Sequence, residues 1–256
     1  MAAQNRWVRD VTPQTGPQDR TDELILPAVK QLEVVYRTDP EIYAAVVPPP
    51  LVAGSDPLVH VRVSDLEITA GDIVHKEKIG YFAVEASYQG EHGDYPLIMP
   101  LDLEAAVNPS RERFGEPKKL AQVEIDRVGD HVEARVARSG VTIIEIVGDV
   151  TGPAEPTPPT HHSEWWIKFS PSVRGEAFDA GPWLVRAHGN QRTHSLENLE
   201  GKLALGDLAS DPVADLPSRE LVSLQWRVYD GDHTVEIAAE IDGEGIKPFM
   251  HARYDH

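Results

Sequence analysis

Along most of the chain, apolar residues come in short runs rich in Val, Ile and aromatic side chains, interrupted by Gly, Pro, Asp or Asn. Runs of that length and composition predict β-strands. They fall at Leu32–Arg37, Leu58–Val63, Ile79–Tyr88, Tyr95–Met99, Ala121–Ile125 and His131–Ala137. Six more fall at Val141–Val147, Trp165–Phe169, Trp183–Ala187, Lys202–Leu208, Leu221–Tyr229 and Thr234–Ile241. The connections are too short for crossover helices, which disfavours parallel βαβ units. The pattern predicts a mainly β fold with a few short helices, closed as an antiparallel β-barrel or cone.

Two windows read as helices. Thr38-Asp39-Pro40-Glu41 supplies a cap, a first-turn proline and an acidic first turn, followed by Ile42, Tyr43 and Ala45–Val47. Pro48-Pro49-Pro50 stops it. The second starts at Asp102 and runs through Leu103–Val107 to Pro109. Residues 1–27, punctuated by Pro13, Gly16, Pro17 and Pro27, read as a flexible N-terminal arm, leaving 28–256 as a single domain. The stretch Thr151–Thr160 holds four prolines and reads as an extended surface connection within that domain.

Charge narrows the partners. The chain has 24 basic and 42 acidic residues, a net −18. That balance repels phosphate backbones and anionic membrane surfaces, so neither nucleic acid nor a membrane is an expected partner. No apolar run approaches the ~20 residues that cross a bilayer, and Met1–Pro27 has no apolar stretch of signal-peptide length. A cytoplasmic location is expected. Cysteine is absent, which excludes disulfides and thiolate chemistry. His161-His162 with Glu164 lacks helical ligand spacing, so no metal site is expected, and no phosphate-binding or dinucleotide fingerprint calls for a cofactor. His188 and His194, around Gly189-Asn190, read as loop residues, Trp165, Trp166 and Trp183 as core or subunit-interface residues, and Tyr254 as part of a solvated tail.

The chemistry concentrates in Ser110-Arg111-Glu112-Arg113-Phe114-Gly115-Glu116-Pro117-Lys118-Lys119-Leu120-Ala121. Its two lysines read either as a solvated pair at a strand entrance or, given Leu120, Ala121 and Val123, as amines drawn toward buried surface. The distinction matters because an amine attacks a carbonyl only when unprotonated. Free lysine titrates near 10.4, and lowering that by about four units needs on the order of 5 kcal/mol of differential interaction. Only a substantially buried amine can find it. Glu85, in Tyr81-Phe82-Ala83-Val84-Glu85-Ala86-Ser87, alternates with Tyr81, Ala83 and Ser87. It reads either as an outward charge on an edge strand or as part of a pocket-lining face.

Arg111-Glu112 followed by Pro117-Lys118-Lys119 resembles the signature of the acetoacetate decarboxylase superfamily. Val35-Tyr36-Arg37-Thr38-Asp39, Val46–Leu51, Pro57-Leu58-Val59, Gly93-Asp94-Tyr95, Met99…Leu101-Asp102 and Asp211–Ser223 extend the likeness over roughly Gln31 to Asp242. The resemblance implies the family's fold, no cofactor, a small keto-acid substrate and a homo-oligomer. It makes Lys118 the Schiff-base lysine and Lys119 the neighbour whose charge lowers its pKa, a device of which acetoacetate decarboxylase is the stock example. It also makes Glu85 the catalytic glutamate, and Tyr81 and Arg111, near Glu85 and Lys118 in the sequence, are expected to bind substrate.

Departures from the family pattern bear on the reaction. Val29 stands where the decarboxylases have an active-site arginine, and Arg62 where they have a glutamate. Ser110 replaces the signature's glycine, and Glu116 adds an acid beside the lysines. Arg62, on the face with His60, is expected to receive the substrate carboxylate. Three readings follow: decarboxylation of a β-keto acid, which leads; a pyruvate-dependent aldolase–dehydratase using the same lysine; and a non-catalytic barrel that binds a small molecule.

Overall fold

The computed structural model describes residues 24–70, 73–156, 158–175 and 178–253. Tyr254 and the first 23 residues of the expected arm lie outside the described residues. Strand β1 (Leu24–Arg37) already begins at Leu24, so residues 24–27 of that arm belong to the sheet.

The remaining strands are β2 (Val52–Ala53), β3 (Leu58–Ala70), β4 (Ile73–Tyr88), β5 (Glu91–Leu101), β6 (Lys118–Leu120) and β7 (Gln122–Val128). They continue with β8 (His131–Arg138), β9 (Val141–Pro153), β10 (Thr160–Pro171), β11 (Phe178–Leu205) and β12 (Glu220–Glu240). All twelve belong to one sheet, ordered β10-β5-β4-β3-β1-β12-β11-β9-β8-β7 with β2 and β6 at its side. Strand β10 pairs antiparallel with β11 over most of its length and touches β5 at Glu164–Asp94, so the path from β5 to β11 returns on itself. Helix α1 (Pro40–Ala45) lies in the first helical window and α2 (Glu104–Pro109) in the second. A wide helical turn, Ser110–Phe114, continues α2 and delivers the chain to β6.

Alternation along the strands divides the interior in two. Leu32, Val34 and Tyr36 of β1, Val59, Val61 and Val63 of β3 and Val84 of β4 have no measurable exposure. They pack against Val132, Val136, Ile143, Ile144 and Ile146 from β8 and β9 to form the main core. Burial of each such aliphatic side chain contributes about 1.5–3 kcal/mol. Residues of the opposite parity on the same strands, Gln31, Arg62, Ser64, Ile79 and Tyr81, point to the other face and line a cavity.

The sequence pattern splits two strands that the structure leaves whole. Trp183–Ala187 and Lys202 onward lie on one strand, β11, and the two last runs both lie on β12. The glycines that looked like turns are places where backbones approach. A Cβ on Gly189 would lie 1.7 Å from the Asp232 carbonyl oxygen, and one on Gly201 would lie 2.1 Å from that of Val147. His188 and His194 are therefore strand residues of β11 rather than loop residues.

Candidate active site

Lys118 enters a cavity of about 220 Å³ enclosed by β1, β3, β4, β5, β10, β11 and β12. That volume suits a small molecule. Parallel pairing with β5 sets Lys118 beside Met99, and Arg111 Nη1 donates to the Lys118 carbonyl at 3.0 Å. Arg111 is thus a clamp on the lysine's backbone rather than part of the cavity wall. The lysine is 6% exposed. Its Nζ lies 2.8 Å from Glu116 Oε2 and 3.8 Å from Glu77 Oε1, and donates to Ser110 Oγ at 3.2 Å. Burial alone would push the amine's pKa down, but Glu116 and Glu77 outweigh it and hold Lys118 above its ordinary value. In the resting protein the amine is protonated and ion-paired, opposite to the expected depression.

Lys119 does not supply the neighbouring charge that the resemblance assigns to it. Successive residues of β6 face opposite ways. Lys119 Nζ donates to the Ser210 carbonyl at 2.7 Å and sits 3.0 Å from Asp211 Oδ1, outside the cavity lining. Asp211, with no exposure, also accepts from Arg138 Nε at 2.7 Å. The group is a buried charge cluster that ties β6 and β8 to the segment before β12.

Glu85 shares the alternation of Glu77, Ile79 and Tyr81 along β4 but lies beyond the end of the cavity lining. Its carboxylate is 3.3 Å from His60 Nε2. Although burial opposes it, Asp94, Glu33 and Glu85 push His60 up to about 9. Arg62 does line the cavity, but its guanidinium is ion-paired with Glu33 and, at 2.7 Å, with Asp94 Oδ2. It lies 4.9 Å over the Tyr81 ring, whose hydroxyl donates to Asp94 at 3.4 Å. With both carboxylates in place, Arg62 offers little net charge to a substrate anion. Tyr81 is buried and lines the cavity as expected.

Several cavity residues escaped the sequence reading. Glu77 is 3% exposed, and His75 lies 3.3 Å from its second oxygen. Neither Glu77 Oε2 nor Glu116 Oε2 accepts a well-aligned hydrogen bond among the described residues. On β10, Glu164 accepts from Trp166 Nε1 at 3.1 Å and lies 3.3 Å from His162 Nε2. Burial would raise Glu164, yet His162 holds it below the usual carboxylate value. His233, on β12, is pushed down by burial and stays neutral. Arg227, also on β12, faces the cavity beside Gln31 and Tyr229.

The architecture is that of the acetoacetate decarboxylases. It superposes on the solved enzyme from Legionella pneumophila with a TM-score of 0.75 at 20% identity, covering 85% of this chain and 87% of that one. The enduracididine biosynthesis enzyme MppR, solved with pyruvate, gives 0.74 at 15% identity, over 90% and 94% of the two chains. At such identities the likeness speaks to fold alone. Sequence carries the assignment further. The acetoacetate decarboxylase family profile matches residues 11–239. The acetoacetate decarboxylase of Burkholderia cenocepacia is 30% identical over 210 residues, 78% of this chain and 81% of the relative. That of Clostridium botulinum is 27% identical over 220 residues, 83% and 87% of the two. The chain belongs to the acetoacetate decarboxylase family.

Proposed function

We propose that the protein is a carbon–carbon lyase that decarboxylates a small β-keto acid through a Schiff base on Lys118. The carrying observation is the burial of the Lys118 amine inside the cavity, 2.8 Å from one carboxylate and 3.8 Å from a second. Because the resting amine is charged, the first event is transfer of a proton from Nζ to Glu116. An ion pair becomes a neutral pair, so no net charge is created in the cavity.

The free amine then attacks the substrate ketone. Glu116 returns the proton to the carbinolamine hydroxyl, which leaves as water and yields an iminium. The bond to the β-carboxylate breaks, its electron pair flows into the iminium, and CO₂ departs, leaving an enamine. Glu77 relays a proton from water to the enamine carbon. Water then adds to the iminium, releases the ketone and regenerates the lysine. Ser110 holds Nζ in position, and Arg111 holds the strand that carries it.

The groups that contact Nζ favour decarboxylation over chemistry on pyruvate. An α-keto acid would set its carboxylate on the carbon bonded to Nζ, beside Glu116 and Glu77. A β-carboxylate near those acids is repelled, and its loss as neutral CO₂ relieves the repulsion. The curated relatives named acetoacetate decarboxylase point the same way. The pyruvate complex of MppR supports the second reading, an aldolase–dehydratase that forms an enamine by deprotonation. A cytoplasmic homo-oligomer is part of the same proposal and rests on family membership.

Two assays separate the readings. Acetoacetate should release CO₂ with the wild-type protein and not with Lys118→Met. Growth of enone absorbance from pyruvate and an aldehyde, without CO₂ from acetoacetate, would reverse the order of the two.

A further inference from the structure

Two arginines line the cavity, and they differ in their partners. Arg62 is ion-paired to Glu33 and Asp94. Arg227 is held by neutral acceptors: Nε donates to Thr193 Oγ1 at 2.8 Å and Nη1 to Gln191 Oε1 at 2.9 Å. Its guanidinium lies 4.3 Å over the Tyr229 ring. Among the described residues no carboxylate forms an ion pair with it. Thr193 and Gln191 fix its direction without cancelling its charge, an arrangement suited to binding an anion.

Topology places Arg227 away from the nucleophile. Lys118 enters beside β5, and Arg227 stands on β12, three strands away in one direction around the closed path and four in the other. The two cations therefore occupy opposite walls. The lining also includes Leu24, Leu26, Leu66 and Ile68, which suit methylene groups. At the lysine end, the groups in contact with Nζ among the described residues are Ser110, Glu116 and Glu77, none of them a cation.

We infer that Arg227 receives a second anionic group of the substrate, so the preferred substrate is a β-keto dicarboxylic acid. Its ketone condenses with Lys118, its β-carboxylate leaves as CO₂, and its distal carboxylate stays on Arg227. This rests on the Schiff-base reading and adds to it the length and charge of the substrate.

The test compares 3-oxoadipate with acetoacetate. The wild-type protein is expected to show the higher kcat/KM for 3-oxoadipate. In Arg227→Met the ratio of the two kcat/KM values should fall about tenfold or more, as expected for loss of a charged hydrogen bond. Arg227→Lys should keep part of that ratio, and it guards against misfolding of the methionine variant. A wild-type preference for acetoacetate, or a ratio within twofold of wild type in Arg227→Met, would overturn the inference. Borohydride trapping of 2-pentanone on wild-type Lys118 reports the lysine chemistry separately. Trapping without a diacid preference sinks only the role of Arg227, whereas absence of trapping sinks the Schiff base beneath it.

Discussion

Glu116 Oε2 lies 2.8 Å from Nζ of Lys118, and both side chains are buried. The lysine expected to be activated by a neighbouring cation is instead gripped by an anion. In the proposed mechanism its activation is a proton transfer within that ion pair, not a standing population of free amine.

The ion pair sets the titration of Lys118. Removing the anion in Glu116→Gln should lower the lysine's apparent pKa, read from the pH dependence of its labelling by an amine-reactive reagent and located by mass spectrometry. Because Glu116 and Glu77 hold the folded value above the 10.5 of an ordinary lysine, their stabilisation is fully present below that pH. It is lost as pH climbs through the folded value. Wild-type stability should therefore fall on the alkaline side more steeply than that of Glu116→Gln. Identical alkaline curves would contradict the pairing.

Glu77 and Glu85 lie on one face of β4, yet only Glu77 reaches Lys118. Glu77→Gln is expected to lower kcat for decarboxylation by about a hundredfold or more, the usual scale for a lost proton relay. Glu85→Gln, acting only through His60, should change it by less than about threefold. The reverse ranking, measured by CO₂ release at saturating substrate, would restore the role that family resemblance gives Glu85.

Asp211 holds together two buried cations, Lys119 and Arg138. Replacing it with alanine removes the buried carboxylate that both cations contact, at a cost of about 3–5 kcal/mol. For a chain of this size that corresponds to a fall in Tm on the order of 10 °C. Calorimetry on Asp211→Ala checks it, and a shift below about 2 °C would show the cluster to be slack.

Gly189 is a glycine of close approach. Gly189→Ala puts a methyl group against the Asp232 carbonyl and should destabilise by about 1–3 kcal/mol. An unchanged denaturation midpoint would mean that β11 and β12 can separate there without loss.

Legibility in the sequence followed the range of the interactions. The β class, both helices and the apolar faces of β1, β3 and β4 depend on local alternation, and the pattern predicts them. Lys118 and Tyr81 come from local motifs, and Glu116 stood out as an extra acid. Glu77 was within reach, since it alternates with Tyr81 and Glu85, but three positions on one face do not reveal where the cavity ends. Lys119 misled because neighbours in sequence face opposite ways on a strand, and its partner Asp211 is remote in the chain. Glu164, His162, His233 and Arg227 reach the site only because β10, β11 and β12 close the path, and non-local pairing leaves no trace in a local pattern.

The most direct measurement is the mass of the Lys118 peptide after incubation with acetoacetate and borohydride. Reduction of the iminium should add the mass of the decarboxylated three-carbon unit at Lys118, and Lys118→Met should carry no adduct. An unmodified Lys118 peptide under conditions where a folded protein is recovered, or an adduct on another lysine, would contradict the account.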